Sequence, residues 1–398
     1  MKIRMLAVVA SGLLLSSAVL AEGISDNKIS IGVMADMSGV YADICGKGCV
    51  TAAQMAVDDF GGQVAGKPIE IVSADDKNNP DEAAAIAHQW IVNQGVDVIA
   101  GLVSSSVTAA VIEETNAAGR MVLISGAGSN AFSTSSCSPN IAHWTYDVVA
   151  LANGTVKPMV QDGKRKWFFI TADYAFGHAL EEVASNVISA NGGTVTGSVR
   201  VPLGAHDFSP YVRQALDSGA DVVALANAGD DFVHALEAAA KAGVMERMDV
   251  VGLLVFLQSA RALDPAIAAG MRLTTGFYWD MDEATRQWSA RFKARHGDMP
   301  SMVHAGVYSA VSHYLRNVAE TGTDNTPVVM SSMKKNRPSD FFARRARLRP
   351  DGRMIHDMYQ VRIKKASERR NPDDIFAIET ISTGVQVYDP MASSCSFR

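Results

Sequence analysis

The chain has 398 residues, 48% of them hydrophobic, which suits two domains and leaves ample material for buried cores. Lys and Arg number 36 against 42 Asp and Glu, a net charge of −6. That balance gives no overall attraction for nucleic acid or an anionic membrane, and the composition excludes a disordered chain.

The chain opens with "MKIRMLAVVASGLLLSSAVLAEG". Lys2 and Arg4 precede a short apolar run, and small residues lead to a cut expected after about Ala21. This is the pattern of a secretory signal peptide, residues 1–21. Ser16 and Ser17 break the run, which weighs against a membrane anchor. The mature protein is expected in the periplasm.

Strand and helix signals then alternate. "KISIGVMADMSG" reads as a strand, "CVTAAQMAVDDFGG" as a helix stopped by paired glycines, and "KPIEIVSADD" as the next strand. "PDEAAAIAHQWIVNQ" opens with Pro80 and two acids, a favourable helix start. "VDVIAGL" and "MVLISGAG" are apolar enough for buried strands. After Trp144 the rhythm restarts, with strands in "KWFFITADYAFG", "TVTGSVRVPL", "ADVVALANAG" and "MDVVGLLVF", separated by helical patterns. Such βα repeats predict doubly wound parallel sheets covered on both faces.

Two segments echo each other: "GVDVIAGLVSSSV" and "GADVVALANAGDD". Buried strands share a narrow alphabet, so chance is one explanation. The other is two lobes of related topology, in which Ser104–Ser106 and Asn227–Asp230 hold equivalent positions. Ligands of open parallel sheets bind at the carboxyl ends of the strands. Hydroxyls and free N–H groups at Ser104 and Ser105, and again at Ala127, Gly128 and Ser129, suit a carboxylate. A serine there can also simply cap the following helix.

The four cysteines of an exported chain allow three disulfide connectivities. Cys45 with Cys49 and Cys137 with Cys395 is the favoured pairing, with free thiols as the alternative. No histidine stands near the close pair, so a zinc site is not expected. No metal-ligand spacing, Gly-x-Ser-x-Gly elbow or dinucleotide fingerprint occurs, and neither metal nor cofactor is expected. "SSMK" at Ser331–Lys334 matches Ser-x-x-Lys without its companion motifs. Lys334–Arg353 holds eight basic residues against two Asp and reads as a solvated face.

Taken in order, "ISIGVMADMSGVYADI", "GLVSSSVTAAV", "ISGAGSNA", "ITADYAFG" and "HDFSPYVRQALDSGADVV" resemble the type I periplasmic substrate-binding proteins of ABC importers. The branched-chain amino acid (Leu/Ile/Val-binding) group is the nearest in pattern. The resemblance implies two α/β lobes joined by a three-segment hinge: 22–146 in lobe 1, 147–278 in lobe 2, 279–349 back in lobe 1, and 350–398 in lobe 2 with the tail. It implies no catalysis, a membrane permease as partner, a small-molecule ligand and a monomer. Its ligand contacts fall on Tyr41 with Ile44, Ser104, Ala127, Gly128, Ser129, Tyr174, Phe176, and Asn227 with Ala228. Amino-acid binders of that family place a glutamate where Leu254 stands here, and an apolar residue cannot pair with an ammonium group. Leu254, Phe256, Tyr278 and Trp279 suit an acid with an apolar or aromatic body. Asp230 would rescue an ammonium if it pointed inward. A ligand-presenting sensor and an exported α/β enzyme are the rival readings.

Overall fold

The computed structural model describes residues 23–390 and Cys395; the expected signal peptide lies outside them. The first sheet holds β1 (Ile29–Ala35), β2 (Gln63–Val64), β3 (Lys67–Asp75), β4 (Val98–Gly101), β5 (Met121–Ile124) and β6 (Ile141–His143), in the order β2-β3-β1-β4-β5-β6. All neighbours run parallel except β2, which pairs antiparallel with β3. Every residue of β1 is buried. Its side chains alternate between two cores, with Ile31 and Val33 on one face and Met34 on the other. Helices Gly46–Phe60 and Met302–Thr321 pack on each other over the first face, and Pro80–Gln94 with Ser105–Ala117 over the second. The helix at Pro80 starts as its sequence demands: Asn79 accepts hydrogen bonds from the N–H groups of Asp81 and Glu82, and Gly95 ends it in the left-handed region.

The second sheet is all parallel: β7 (Lys166–Ala172), β8 (Thr194–Val201), β9 (Val222–Ala226) and β10 (Asp249–Gly252), ordered β10-β9-β7-β8. The order β3-β1-β4-β5 of the first sheet recurs as β8-β7-β9-β10. The echoed segments are therefore β4 and β9, each beside its lobe's first strand, and the echo is topological. β8 departs from the buried pattern. It is an edge strand, and only Val201 of its eight residues is buried.

The region after Gly270 was not legible as strands. β11 (Arg272–Thr275), β14 (Met358–Ile363) and β15 (Phe376–Ser382) form an antiparallel sheet, with a small hairpin of β12 (Arg347–Leu348) and β13 (Met354–Ile355). The basic stretch before it is not simply a solvated face. Arg344, Arg345, Arg349 and Arg353 pair with Asp282, Asp357, Asp351 and Asp147.

The chain passes between the two main sheets in segments that lie side by side. His143 bridges Arg353 in parallel, and Gly276 faces the His356 ring. Arg353 is fully buried here. Its Nη1 donates to the His143 carbonyl at 2.6 Å, its Nε lies 2.9 Å from Asp147 Oδ2, and its guanidinium sits 4.4 Å from the centre of the Tyr388 ring. The His356 ring contacts the Thr145 carbonyl, and Trp144 donates to Ser309 at 3.0 Å. Both expected disulfides, Cys45–Cys49 and Cys137–Cys395, are present.

Removing one partner of a buried ion pair leaves the other uncompensated, at roughly 3–5 kcal/mol. Arg353→Met is expected to lower unfolding free energy by that amount in chemical denaturation. A loss below about 1 kcal/mol, the range of an exposed pair, would contradict this role for Arg353.

Candidate functional site

Six strand ends and one crossing segment build the site. After β1 the chain wraps around Asp36. This buried carboxylate accepts the N–H groups of Ser38 and Gly39 through Oδ1 and that of Tyr41 through Oδ2, at 3.2, 2.6 and 3.1 Å. That turn presents the Tyr41 ring. After β4, Gly101 takes φ +95°, and a Cβ there would lie 2.6 Å from the Met34 carbonyl. Leu102 follows at φ +58°, a conformation that strains any side chain and recurs at functional turns. Ser104 then opens the helix Ser105–Ala117, yet its side chain makes no capping hydrogen bond. The capping alternative for Ser104 is thereby set aside.

The turn after β5 leans on this one. Ser129 donates its N–H to Ser105 Oγ at 3.3 Å, and Ser129 Oγ accepts from Ala131. The Ala127 carbonyl accepts from His143 Nε2 at 2.8 Å, whose ring burial keeps it neutral. Gly128 has to be glycine: a Cβ there would lie 2.7 Å from the Tyr146 ring and 2.9 Å from the Phe176 ring. Phe176 follows β7, so this contact already joins the two lobes.

These elements enclose a small cavity of about 10 Å³. Tyr41, Ile44 and Val103 line it from the first lobe, and Tyr146 from the crossing segment. Tyr174, Phe176, Ala228, Leu254 and Phe256 line it from the second. The Tyr41 hydroxyl donates to the Tyr174 hydroxyl at 2.5 Å, straight across the cleft. Tyr174 and Phe176 rings lie 6.0 Å apart, and Tyr146 meets Phe256 edge-on at 6.2 Å. Gly229, at φ +62°, lets the second lobe approach the Val40 carbonyl. Burial pushes the phenols of Tyr41, Tyr146 and Tyr174 up, so all three are neutral hydroxyls at physiological pH.

Of the eleven expected ligand residues, Tyr41, Tyr174, Phe176 and Leu254 line the cavity. Ser104, Ser105, Ala127, Gly128 and Ser129 do not line it; Ser104 and Ser105 follow Val103 in the chain, and Gly128 abuts the Tyr146 and Phe176 rings. Asn227 is buried beside Ala228, and its Oδ1 has no hydrogen-bond partner. Tyr278 lies elsewhere. Its hydroxyl is held by Asp373, Asp374 and the Phe376 N–H, and its ring packs on Trp279 and Phe376. Trp279 likewise donates to the Asp373 carbonyl. Asp230 is exposed, so it offers the cavity no charge. The buried neighbour is Asp231, which accepts the Gly204 N–H at 3.0 Å and is pushed up to about 6 by burial. Tyr146 and Val103 were missed. An aromatic two residues past Trp144, within the first crossing segment, was the available signal for Tyr146.

The chain belongs to the periplasmic binding protein family, whose sequence model matches residues 28–368. A periplasmic binding protein from Burkholderia mallei is 40% identical with a TM-score of 0.91, over 93% of this chain and 99% of that one. A branched chain amino acid ABC transporter periplasmic ligand-binding protein from Burkholderia xenovorans LB400 is 30% identical with a TM-score of 0.83, over 93% and 100%. Leu/Ile/Val-binding protein homolog 6 of Brucella abortus is 25% identical over 196 residues, 49% of this chain. That match spans about half the length of the curated relative.

Two outcomes follow from the geometry. Tyr41→Phe and Tyr174→Phe should each lose about 1–3 kcal/mol of stability, the range for a broken buried hydrogen bond. The double variant should lose less than their sum; strictly additive losses would mean that the hydroxyls do not meet. Asp231 holds its proton more tightly folded than unfolded, where its value is 3.8. Its share of stability is therefore largest near pH 4 and declines as pH rises through 6. Asp231→Asn should flatten that part of the stability profile, and an unchanged profile would contradict the burial of a titrating carboxyl.

Proposed function

We propose that this protein is the extracytoplasmic solute-binding component of an ABC importer, and that it captures a small carboxylate with an aromatic or apolar body. The observation that carries the ligand class is the cavity lining: aromatic and aliphatic side chains with tyrosine hydroxyls, and no charged side chain. A carboxylate can be held by neutral donors, as at helix N-termini. The uncapped first turn of Ser105–Ala117, the Ser104 hydroxyl and the Ala127–Ser129 turn supply them. An ammonium needs an acceptor of opposite charge, and Leu254 offers none. Burying that cation unpaired would cost several kcal/mol.

The enclosed space of about 10 Å³ is far below ordinary ligand pockets of roughly 300–1,000 Å³, so the cleft is shut in this conformation. Entry requires the lobes to part and the Tyr41–Tyr174 bond to break. Closure then packs Tyr174, Phe176 and Phe256 over the ring, and differential affinity for the closed form drives the motion. The closed shape is what a membrane permease would receive. The protein acts in the periplasm as a monomer, freed from its signal peptide near Ala21, and performs no chemistry on its ligand. Solute-binding proteins of Rhodopseudomonas palustris have been solved with benzoate and with 3,4-dihydroxy benzoic acid. At 18% and 20% identity these speak for the fold alone. The relative at 30% bears a branched-chain amino acid name, which makes leucine, isoleucine and valine the competing ligands.

A thermal-shift series decides between them. Benzoate, hydroxybenzoates, phenylacetate and branched-chain keto acids are expected to raise the melting temperature, a ligand at 100 times its Kd contributing about 2.7 kcal/mol. Leucine, isoleucine and valine are expected to leave it unchanged. Stabilisation by the amino acids alone would overturn the ligand class. With the best acid, Ser104→Ala should weaken binding by about 1–2 kcal/mol in calorimetric titration; unchanged affinity would remove Ser104 from the site.

A further inference from the structure

The nine residues that line the cavity differ in what their polar atoms already do. Ile44, Val103, Phe176, Ala228, Leu254 and Phe256 bring no polar side-chain atom. The Tyr146 hydroxyl donates to the Gly126 carbonyl, a contact that does not cross to the second lobe and so survives a parting of the lobes. Tyr41 and Tyr174 differ. Tyr41 is 2% exposed, and among the described residues the only partner of its hydroxyl is that of Tyr174, in the other lobe. Tyr174 likewise has only Tyr41. Their rings lie 6.3 Å apart, centre to centre, which is direct contact for an aromatic pair. No third ring fits between them, and an enclosed space of about 10 Å³ holds no more than one water. A ligand must therefore push the Tyr41 wall from the Tyr174 wall and part the two hydroxyls.

We propose that the ligand replaces the bond it breaks: besides its carboxylate it carries a hydroxyl group, which comes to lie between Tyr41 and Tyr174. This rests on the reading that the carboxylate occupies Ser104 and the Ala127–Ser129 turn. With that end taken, the tyrosine pair meets the ligand's body. A hydroxyl both donates and accepts. It takes the proton of one phenol and offers its own to the other, so neither is left buried and unpaired. A ring with hydrogen or methyl at that point leaves both phenols without a partner. A site built to bond a hydroxyl rejects the analogue lacking it far more strongly than it rejects a mere difference in size. Among the lining residues this pair is thus the place where the cleft tells hydroxylated acids from bare ones. Asn227 adds weight to a donor on the ligand: its Oδ1 is buried without a partner, one residue before the lining residue Ala228.

Calorimetric titration with matched acids tests this. Benzoate, meta- and para-hydroxybenzoate and the corresponding methylbenzoates are titrated into the native protein and into the Tyr41→Phe/Tyr174→Phe double variant. The methyl group matches the hydroxyl in size without its hydrogen bonds. In the native protein at least one hydroxybenzoate should bind about tenfold or more tightly than its methyl counterpart. In the double variant that preference should vanish, while the methyl compound binds at least as well as before. Should the double variant fail to fold, Tyr174→Phe alone should shrink the same preference. Equal affinities for hydroxyl and methyl compounds in the native protein would overturn the proposal and leave the carboxylate reading standing. A preference that survives undiminished in the variants would overturn it too. So would a double variant that weakens every acid alike, since the tyrosines would then hold the carboxylate itself. Binding of none of these acids would instead sink the ligand class, and this inference with it.

Discussion

A parallel sheet covered on both faces has nowhere to display polar chemistry except the ends of its strands. β1, β4 and β5 are buried throughout, and so are β9 and most of β7. Every hydroxyl and free N–H that a ligand might meet is thus driven to the carboxyl ends, where Asp36, Ser104, Gly128, Tyr174 and Asn227 stand. Because the second lobe repeats the strand order of the first, two such rims exist, and the crossing segments turn them toward each other. The cleft follows from the burial of the strands.

The cleft is lined without ionic side chains. In a dry space an unpaired charge is expensive, while a hydrogen bond between neutral groups is stronger than in water. The three tyrosines are kept protonated by their own burial. In the proposed complex they would serve as donors and acceptors of fixed position rather than as counter-charges. Their rings provide the apolar contact area, and Gly128 and Gly229 provide the room in which rings and backbone from opposite lobes meet. The buried ion pair of Arg353 with Asp147 lies at the hinge, where it orders the crossing segments, and neither residue lines the cavity.

The legible parts of this design were those written in local pattern. Alternating apolar strands and capped helices mark β1, β3, β4 and β5 and the helices between them, as at Pro80–Gln94, while the helix Met302–Thr321 that returns to cover the first sheet was not read. The "GVDVIAG" and "GADVVAL" echo marks equivalent strands because identical burial selects an identical alphabet. The illegible parts depend on contacts distant in sequence. β14 interleaves half-buried polar residues and β15 exposed ones, and β14 also pairs with β11, distant in sequence, so no continuous apolar run announces them. Tyr278 and Trp279 carry the same aromatic signal as Tyr174, yet backbone groups of Asp373 claim them. Asp230 and Asp231 are adjacent acids at a helix start, and only the helix's rotation decides which is buried. Tyr146 sits in a crossing segment, where no periodicity tells which side chain faces the cleft.

The central claim is that neutral donors at the strand ends hold an acid whose body lies among the tyrosines. A crystal structure of the protein with the acid that stabilises it most tests this directly. The account predicts the carboxylate against Ser104 and the Ala127–Ser129 turn, with the ring between Tyr41, Tyr174 and Phe256. A ligand bound outside this cavity, or one whose ammonium group faces Leu254 through a newly recruited carboxylate, would contradict it.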